Sequence, residues 1–242
     1  MEILGIDVGG SGIKGAVIET QSGNLITERL RLLTPSVSSP ENIADTVNEL
    51  KRLHNWDGPI GIGFPAVVKN GVIKTAANID KNWIGCDADK LFTDVTECPV
   101  KVINDADAAA IAEMKFGAGS SRQDLVFVIT VGTGFGTALF YKGLLVPNLE
   151  FGQLIINDRI AEKYASDAVR EKGDLSWKKW GKRFNEYLLE IERLFFPDLI
   201  IIGGGISKKF EKFSEYITTV ETSVTPAKLL NNAGIIGAAV NY

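Results

Sequence analysis

Histidine is almost missing from this chain: His54 stands alone. A two-histidine metal site is therefore excluded, and any Ser-His-Asp triad must use that one residue. Cysteine occurs only at Cys86 and Cys98, too few for a disulfide framework or a cysteine-rich zinc site. Two reduced thiols are the expected state, with a cytoplasmic setting. No apolar run is long enough to span a bilayer, so no membrane partner is expected. The opening MEILGIDVGG carries Glu2 and Asp7 and lacks the basic start and apolar stretch of a signal peptide. Excess positive charge is absent as well. Lys and Arg total 26 against 30 Asp and Glu, a net charge of −4, which disfavours nonspecific nucleic-acid binding.

What is present is an ordinary globular composition, 45% apolar and 23% charged over 242 residues, enough for one large domain or two small ones. Ile3 to Val8 is a short apolar run ending in Gly-Gly and predicts a buried strand and a tight turn. Ile13 to Ile18 predicts a second strand and Leu25 to Leu33 a third. Ser39 is placed to cap a helix beginning at Pro40, with Ile43, Val47, Leu50 and Leu53 at helical spacing. Further strands are expected at Gly61–Phe64, Val100–Ile103, Leu125–Val131, Thr137–Tyr141 and Leu199–Ile202, with helices at Ala106–Phe116 and Ala233–Val240. Ser176 to Phe196 carries Trp177, Trp180, Phe184, Leu188, Ile191 and Phe195 on one stripe, read as core packing rather than a ligand box. Strands alternating with helices make this an α/β chain. Ile6 to Ser11 can be laid on Ile129 to Gly134, about half the chain away. Two similar α/β lobes, each offering a glycine turn to a shared cleft, would explain the echo.

Three glycine turns follow predicted strands: Gly9-Gly10-Ser11-Gly12, Gly132-Thr133-Gly134-Phe135-Gly136 and Gly203-Gly204-Gly205. Without Cβ atoms, consecutive N–H groups can face one anion. None is a P-loop, and the second lacks the Rossmann spacing. Each is read as a phosphate cradle or a structural hairpin; Ser11, Thr133 and Lys14 add two hydroxyls and a cation to the first reading. Asp7 at the end of its strand either caps backbone N–H groups or holds Mg²⁺ through water. Asn104-Asp105 before a helix is either a helix cap or an Asp aimed at a ligand from a strand end. A carboxylate there can accept an alcohol proton during phosphoryl transfer.

Together these segments resemble the ROK family, in the sugar-kinase branch of the actin-like ATPase superfamily. Gly5-Ile6-Asp7-Val8-Gly9-Gly10-Ser11-Gly12-Ile13-Lys14-Gly15 is similar to its first phosphate motif and Asn104-Asp105-Ala106-Asp107-Ala108 to its catalytic motif. Val131 to Thr137 resembles the second phosphate motif, and Ile201-Ile202-Gly203-Gly204-Gly205-Ile206-Ser207 the nucleotide-side glycine motif. Within the family the chain resembles the polyphosphate glucokinases, through Gly63-Phe64-Pro65, Thr75 to Trp83, Phe196-Pro197-Asp198-Leu199, Lys208-Lys209 and the tail Asn231 to Ala239.

The resemblance implies two actin-like, ribonuclease H-like lobes with a cleft between them, at 1–105 and 106–229, a helix at about 230–242 returning to the first. It implies a kinase transferring a phosphoryl group from polyphosphate or ATP, with Mg²⁺, to the 6-hydroxyl of glucose. Asp105 would be the general base. Asn78, Asn104, Glu150 and Gln153 would bind the sugar, and the glycine turns, with Lys14 and Lys208, the phosphates. A homodimer is expected. Three departures stand out. Glu150-Phe151-Gly152-Gln153 has Gln where the family has His, so sugar preference is open. The zinc-binding cysteine motif of many members is absent, so no zinc site is expected. Ala66 follows Gly63-Phe64-Pro65 where Gly is usual.

Lys208, Lys209 and Lys212 read either as a basic patch for polyphosphate or as a solvated helix face. A sugar-responsive transcription regulator of the same family would carry a DNA-binding domain, for which residues before the first motif leave no room. A sugar sensor without turnover has Gln153 as its only support.

Overall fold

The apolar runs become the central strands of two sheets in the computed structural model, which describes residues 1–77 and 79–242. The chain forms two units, Met1–Ala112 with Asn232–Tyr242, and Glu113–Asn231.

In the first unit β1 (Glu2–Val8) and β2 (Ile13–Glu19) form an antiparallel hairpin, with β3 (Asn24–Leu25) and β4 (Leu30–Leu32) both paired to β2. Helix α1 (Pro40–Leu53) follows, with the Ser39 side chain accepting from the Asn42 N–H and Pro40 opening the helix. β5 (Ile60–Phe64) lies parallel to β1, a small hairpin of β6 (Val68–Lys69) and β7 (Val72–Ile73) comes next, then α2 (Ala88–Thr96), and β8 (Val100–Asn104) closes the sheet parallel to β5. α3 (Asp105–Phe116) begins without a linker, and the division between units falls inside it. The single strand expected over Leu25–Leu33 is two short ones. The Ile26 N–H bonds the Val17 carbonyl and the Thr27 hydroxyl takes the Val17 N–H, so a side chain replaces the backbone acceptor and interrupts the ladder.

The second unit repeats the plan. β9 (Val126–Val131), β10 (Phe135–Tyr141) and β11 (Leu144–Leu149) form an antiparallel meander. A short β12 (Ile155–Ile156) and β13 (Arg159–Ile160) hairpin leads to α4 (Ala161–Ala165), α5 (Asp167–Lys172) and α6 (Trp177–Phe195). β14 (Leu199–Gly203) then pairs parallel with β9, and β15 (Ser223–Pro226) parallel with β14. In both sheets a first strand sits centrally, its hairpin partner on one side and two parallel strands on the other. The stripe on α6 is mostly core: Trp180, Phe184, Leu188 and Ile191 are fully buried, and the Trp180 indole N–H donates to the Ala165 carbonyl at 2.9 Å.

The last helix, α7 (Ala233–Val240), returns to the first unit and packs on β1 and β5. Its approach depends on glycine. Gly5 and Gly61 are register partners on β1 and β5, and a Cβ on either would overlap the α7 backbone at Ile235 or Ala238.

Two buried carboxylates fasten loops of the second unit. Glu113 is 2% exposed and accepts the N–H groups of Ala118, Lys228 and Leu229 at 2.9, 3.1 and 2.7 Å. Glu192 on α6 accepts those of Val220, Glu221 and Thr222 at 3.0, 2.9 and 2.8 Å. Burial alone pushes the Glu192 carboxyl up, but those N–H bonds outweigh it and hold the group below its usual value. Its stabilising contribution is complete above the unfolded value near 4.3 and disappears as pH falls through the lower folded one. Glu192→Gln is therefore expected to cost about 1–2 kcal/mol at neutral pH. It should also flatten the acid limb of a stability–pH curve measured by thermal unfolding.

Candidate active site

The first glycine turn is the β1–β2 hairpin loop. The Gly9 N–H bonds the Gly12 carbonyl at 3.2 Å, and the Thr34 hydroxyl donates to the Gly9 carbonyl at 2.6 Å. Among the described residues, the N–H groups of Gly10, Ser11 and Gly12 donate to no protein acceptor, which leaves them available to an anion. The strand register sets Asp7 opposite Lys14, and Lys14 opposite Arg31 on β4. Lys14 Nζ lies 3.1 Å from Asp7 Oδ2, so the two charges largely offset one another. Arg31 donates to the Ser11 carbonyl at 2.7 Å and its guanidinium lies against Gly12. It is a cation at this turn that sequence reasoning missed.

The catalytic-motif expectation falls where β8 passes into α3. Asn104 Oδ1 accepts the N–H groups of Ala106 and Asp107 at 2.9 and 3.0 Å, and its Nδ2 donates to the Ala66 carbonyl at 3.0 Å. The capping role is thus realised, and among the described residues it leaves one amide hydrogen of Asn104 without an acceptor. Asp105 is half-buried at the first position of α3, and its Oδ1 accepts the Ala106 N–H at 2.8 Å. Its Cα lies close to Gly63 of β5. A carboxylate at the carboxyl end of a parallel strand occupies the position where open α/β sheets bind ligands. Asn78, the remaining sugar-binding expectation of this unit, lies outside the described residues.

His54 is occupied elsewhere. Its Nε2 bonds the Gly15 carbonyl and its Nδ1 the Thr27 hydroxyl, each at 3.2 Å. A carbonyl only accepts, so Nε2 carries the proton and Nδ1 accepts from Thr27. Burial lowers the pKa of the ring. Neither partner is a carboxylate, and among the described residues no Ser-His-Asp arrangement forms at this ring.

In the second unit, Gly132, Thr133 and Gly134 form the β9–β10 turn, closed by the Gly132 N–H on the Gly134 carbonyl at 3.1 Å. Beside it stands Glu162 on α4, a second group that sequence reasoning missed. Its Oε2 accepts the Phe135 N–H at 3.3 Å, and its Oε1 accepts from Gln153 Nε2 at 2.9 Å. Gln153 therefore acts as a donor here, as its amide permits. Desolvation raises the Glu150 carboxyl above the usual carboxylate range, and repulsion from Glu162 adds to it. A raised folded value means that ionised Glu150 opposes folding once pH passes the unfolded value near 4.3. Glu150→Gln is expected to raise the melting temperature at pH 7, with the gain vanishing at about pH 4 and below; thermal unfolding at both pH values checks it.

The third turn follows β14. Gly204 has φ +76° and ψ −171°, and a Cβ there would overlap the Val131 carbonyl, so only glycine fits. Ser207 donates from both its N–H and its hydroxyl to the Gly204 carbonyl, at 3.2 and 2.8 Å. A 3₁₀ helix, Gly205–Lys212, begins here and is broken at Lys209. Lys208 is exposed on it. The helix face considered for Lys208, Lys209 and Lys212 is thus a tighter, kinked segment.

Asp7 is a hard oxygen donor with one carboxylate oxygen engaged by Lys14. Among the described residues no group of three or more Asp, Glu, His or Cys side chains is placed to hold a metal ion, so protein ligands here would be few. That donor chemistry fits Mg²⁺ held through water.

The chain as a whole is similar to known proteins. The pattern of the ROK family matches residues 3–147. The polyphosphate glucokinase of Mycobacterium tuberculosis (strain CDC 1551 / Oshkosh) is 45% identical over 98% of this chain and 89% of its own length. That of Mycobacterium leprae (strain TN) is 41% identical over 98% of this chain and 73% of its own. The crystal structure of the inorganic polyphosphate/ATP-glucomannokinase from Arthrobacter sp. strain KM superposes with a TM-score of 0.95 at 41% identity, covering 99% of this chain and 97% of that one. The family pattern covers more than half of the sequence and these relatives nearly all of it: the chain belongs to the ROK family.

Proposed function

We propose that this protein is a sugar kinase that transfers the terminal phosphoryl group of polyphosphate or ATP to the 6-hydroxyl of glucose. The observation that carries the reading is Asp105, a half-buried carboxylate at a strand–helix corner in a chain with three glycine turns at strand ends. The names of the relatives support it: two are polyphosphate glucokinases and one a polyphosphate/ATP-glucomannokinase. Asp105 accepts the proton of the attacking hydroxyl as the new P–O bond forms. The second amide hydrogen of Asn104 donates to a sugar oxygen, as do Asn78 and Gln153, while Glu150 accepts from a sugar hydroxyl. Glu162 holds Gln153 in its donating orientation.

The N–H groups of Gly10, Ser11, Gly12, Thr133 and Gly134 hold donor phosphates, with Lys14, Lys208 and the turn at Gly203-Gly204-Gly205 alongside. Asp7 holds Mg²⁺, which when bound offsets phosphate charge. A long phosphate chain and a nucleoside triphosphate present the same reacting end, so this reading takes either as donor.

A cytoplasmic setting belongs to this reading, and Cys86 and Cys98 as free thiols support it. A homodimer is supported by Leu144 and Val146, exposed on the edge strand β11. The test is formation of glucose 6-phosphate by purified protein with Mg²⁺, comparing ATP with long-chain polyphosphate and glucose with mannose. Turnover with either donor supports the kinase, and the ratio of rates assigns the donor. No turnover with any pair sinks the reading.

A further inference from the structure

Two stretches of the second unit, 167–183 and 208–212, carry nine of the chain's 26 basic residues but only four of its 30 acidic ones. They meet at one side chain. Trp177 is half-buried at the start of α6, edge-on to Trp180 at 5.9 Å and stacked on Phe213 at 6.3 Å. Around its indole stand three cations: the Arg170 guanidinium 4.3 Å from the ring centre, and Lys209 and Lys212, each with Nζ at 5.6 Å.

The three differ in what else they touch. Arg170 is paired with Asp167 at 2.7 Å and Glu171 at 3.1 Å, so its charge is offset and it serves to fix the ring. Lys209 and Lys212 form no ion pair among the described residues. The indole face attracts an ammonium group without cancelling its charge, so these lysines are positioned and still cationic. Lys178, Lys179 and Lys182 are exposed on the same end of α6, also without an ion pair among the described residues.

The position of this surface says what it suits. α5 starts where the Ala168 N–H bonds the Gly132 carbonyl at 3.2 Å, and it ends two residues past Arg170. The 3₁₀ helix bearing Lys209 and Lys212 starts at Gly205. The basic surface thus adjoins both glycine turns of this unit. A nucleoside triphosphate carries three phosphates and then turns into sugar and base. A long polyphosphate continues as one charge per phosphate and needs cations further on.

We propose that Lys209 and Lys212, held on Trp177, bind the chain of a long polyphosphate donor beyond its reacting end. The proposal rests on the kinase reading above and adds what separates the two donors. Exposed contacts of this kind are individually weak and salt-screened, so the surface acts through number and field rather than one strong site.

The test is the double variant Lys209→Gln/Lys212→Gln, with Lys142→Gln as control, since Lys142 also lies over an aromatic ring, Tyr141, in the same unit. KM is measured for ATP and for long-chain polyphosphate at two salt concentrations. The double variant should raise the polyphosphate KM about tenfold and weaken its salt dependence. The KM for ATP, and kcat with ATP, should stay as in the wild type, which also shows that the variant is folded. The control should change neither donor. An unchanged polyphosphate KM overturns the proposal, and so does an equal rise for ATP, which would mean that the lysines only support the Gly203–Gly205 turn. Single-stranded polyuridylate competing as well as polyphosphate at equal phosphate concentration also overturns it, in favour of a general polyanion surface. If the wild type turns over with ATP and not with polyphosphate, the donor reading itself fails, and that arm is read before any variant.

Discussion

Replacing Asp105 by Asn should lower kcat for sugar phosphorylation by about two to four orders of magnitude, the usual worth of a positioned general base, while the melting temperature and sugar affinity hardly move. The geometry separates these effects. Asp105 Oδ1 accepts the Ala106 N–H at 2.8 Å, and an Asn carbonyl oxygen in the same place accepts it equally well. The start of α3 is therefore kept, as is the Asn104 cap with its two N–H bonds. What is lost is the ability to take a proton, since an amide oxygen is not a base near neutral pH. The measurement is steady-state kinetics beside calorimetric sugar binding. A fall in kcat with an unchanged sugar Kd is the expected pair. A variant with wild-type kcat would remove Asp105 from the chemistry. A wild-type protein that binds sugar and shows no turnover to lose would be a sensor.

The second large effect is structural. Gly237→Ala should destabilise the first unit by about 3 kcal/mol or more, beyond the usual range for an added methyl, because the obstacle is backbone. A Cβ on Gly237 would fall inside the Ala108 carbonyl of α3, and α3 cannot yield without moving Asp105. On the sheet side α7 is equally constrained by Gly5 and Gly61, where its own backbone fills the space a Cβ would need. The helix is held between strand and helix with no side chain to compress. Denaturant unfolding should show the loss, and any protein that remains folded should have lost activity. A stable, fully active Gly237→Ala protein would show that α7 does not set the position of Asp105.

The central strands were legible because each is a short apolar run that ends in glycine or Asn-Asp, and burial on both faces demands such runs. The echo between Ile6–Ser11 and Ile129–Gly134 was legible for the same reason. In the structure it is one strand plan used twice, with a glycine turn in each first hairpin. Pairings across the sheet were not legible. The sequence assigns Asp7 and Lys14 separate roles, and only the antiparallel register shows them opposite one another as an ion pair. Arg31 reaches the first glycine turn only because Thr27 breaks the third strand in two, and a hydroxyl replacing a backbone acceptor leaves no periodic mark. Glu162 sits on a five-residue helix with no spacing signal linking it to Gln153. Trp177 belongs to the α6 core stripe and packs on Trp180 and Phe213, but it also meets Lys209 and Lys212, more than 30 residues along the chain.

One measurement tests the central claim most directly. Wild-type protein is incubated with Mg²⁺, glucose and long-chain polyphosphate, and the products are followed by ³¹P NMR. The account predicts a phosphomonoester resonance of glucose 6-phosphate that grows with time and with protein concentration, while polyphosphate end groups persist as the chains shorten. Free orthophosphate with no sugar ester, or no change at all from a folded protein that also fails with ATP, would contradict it.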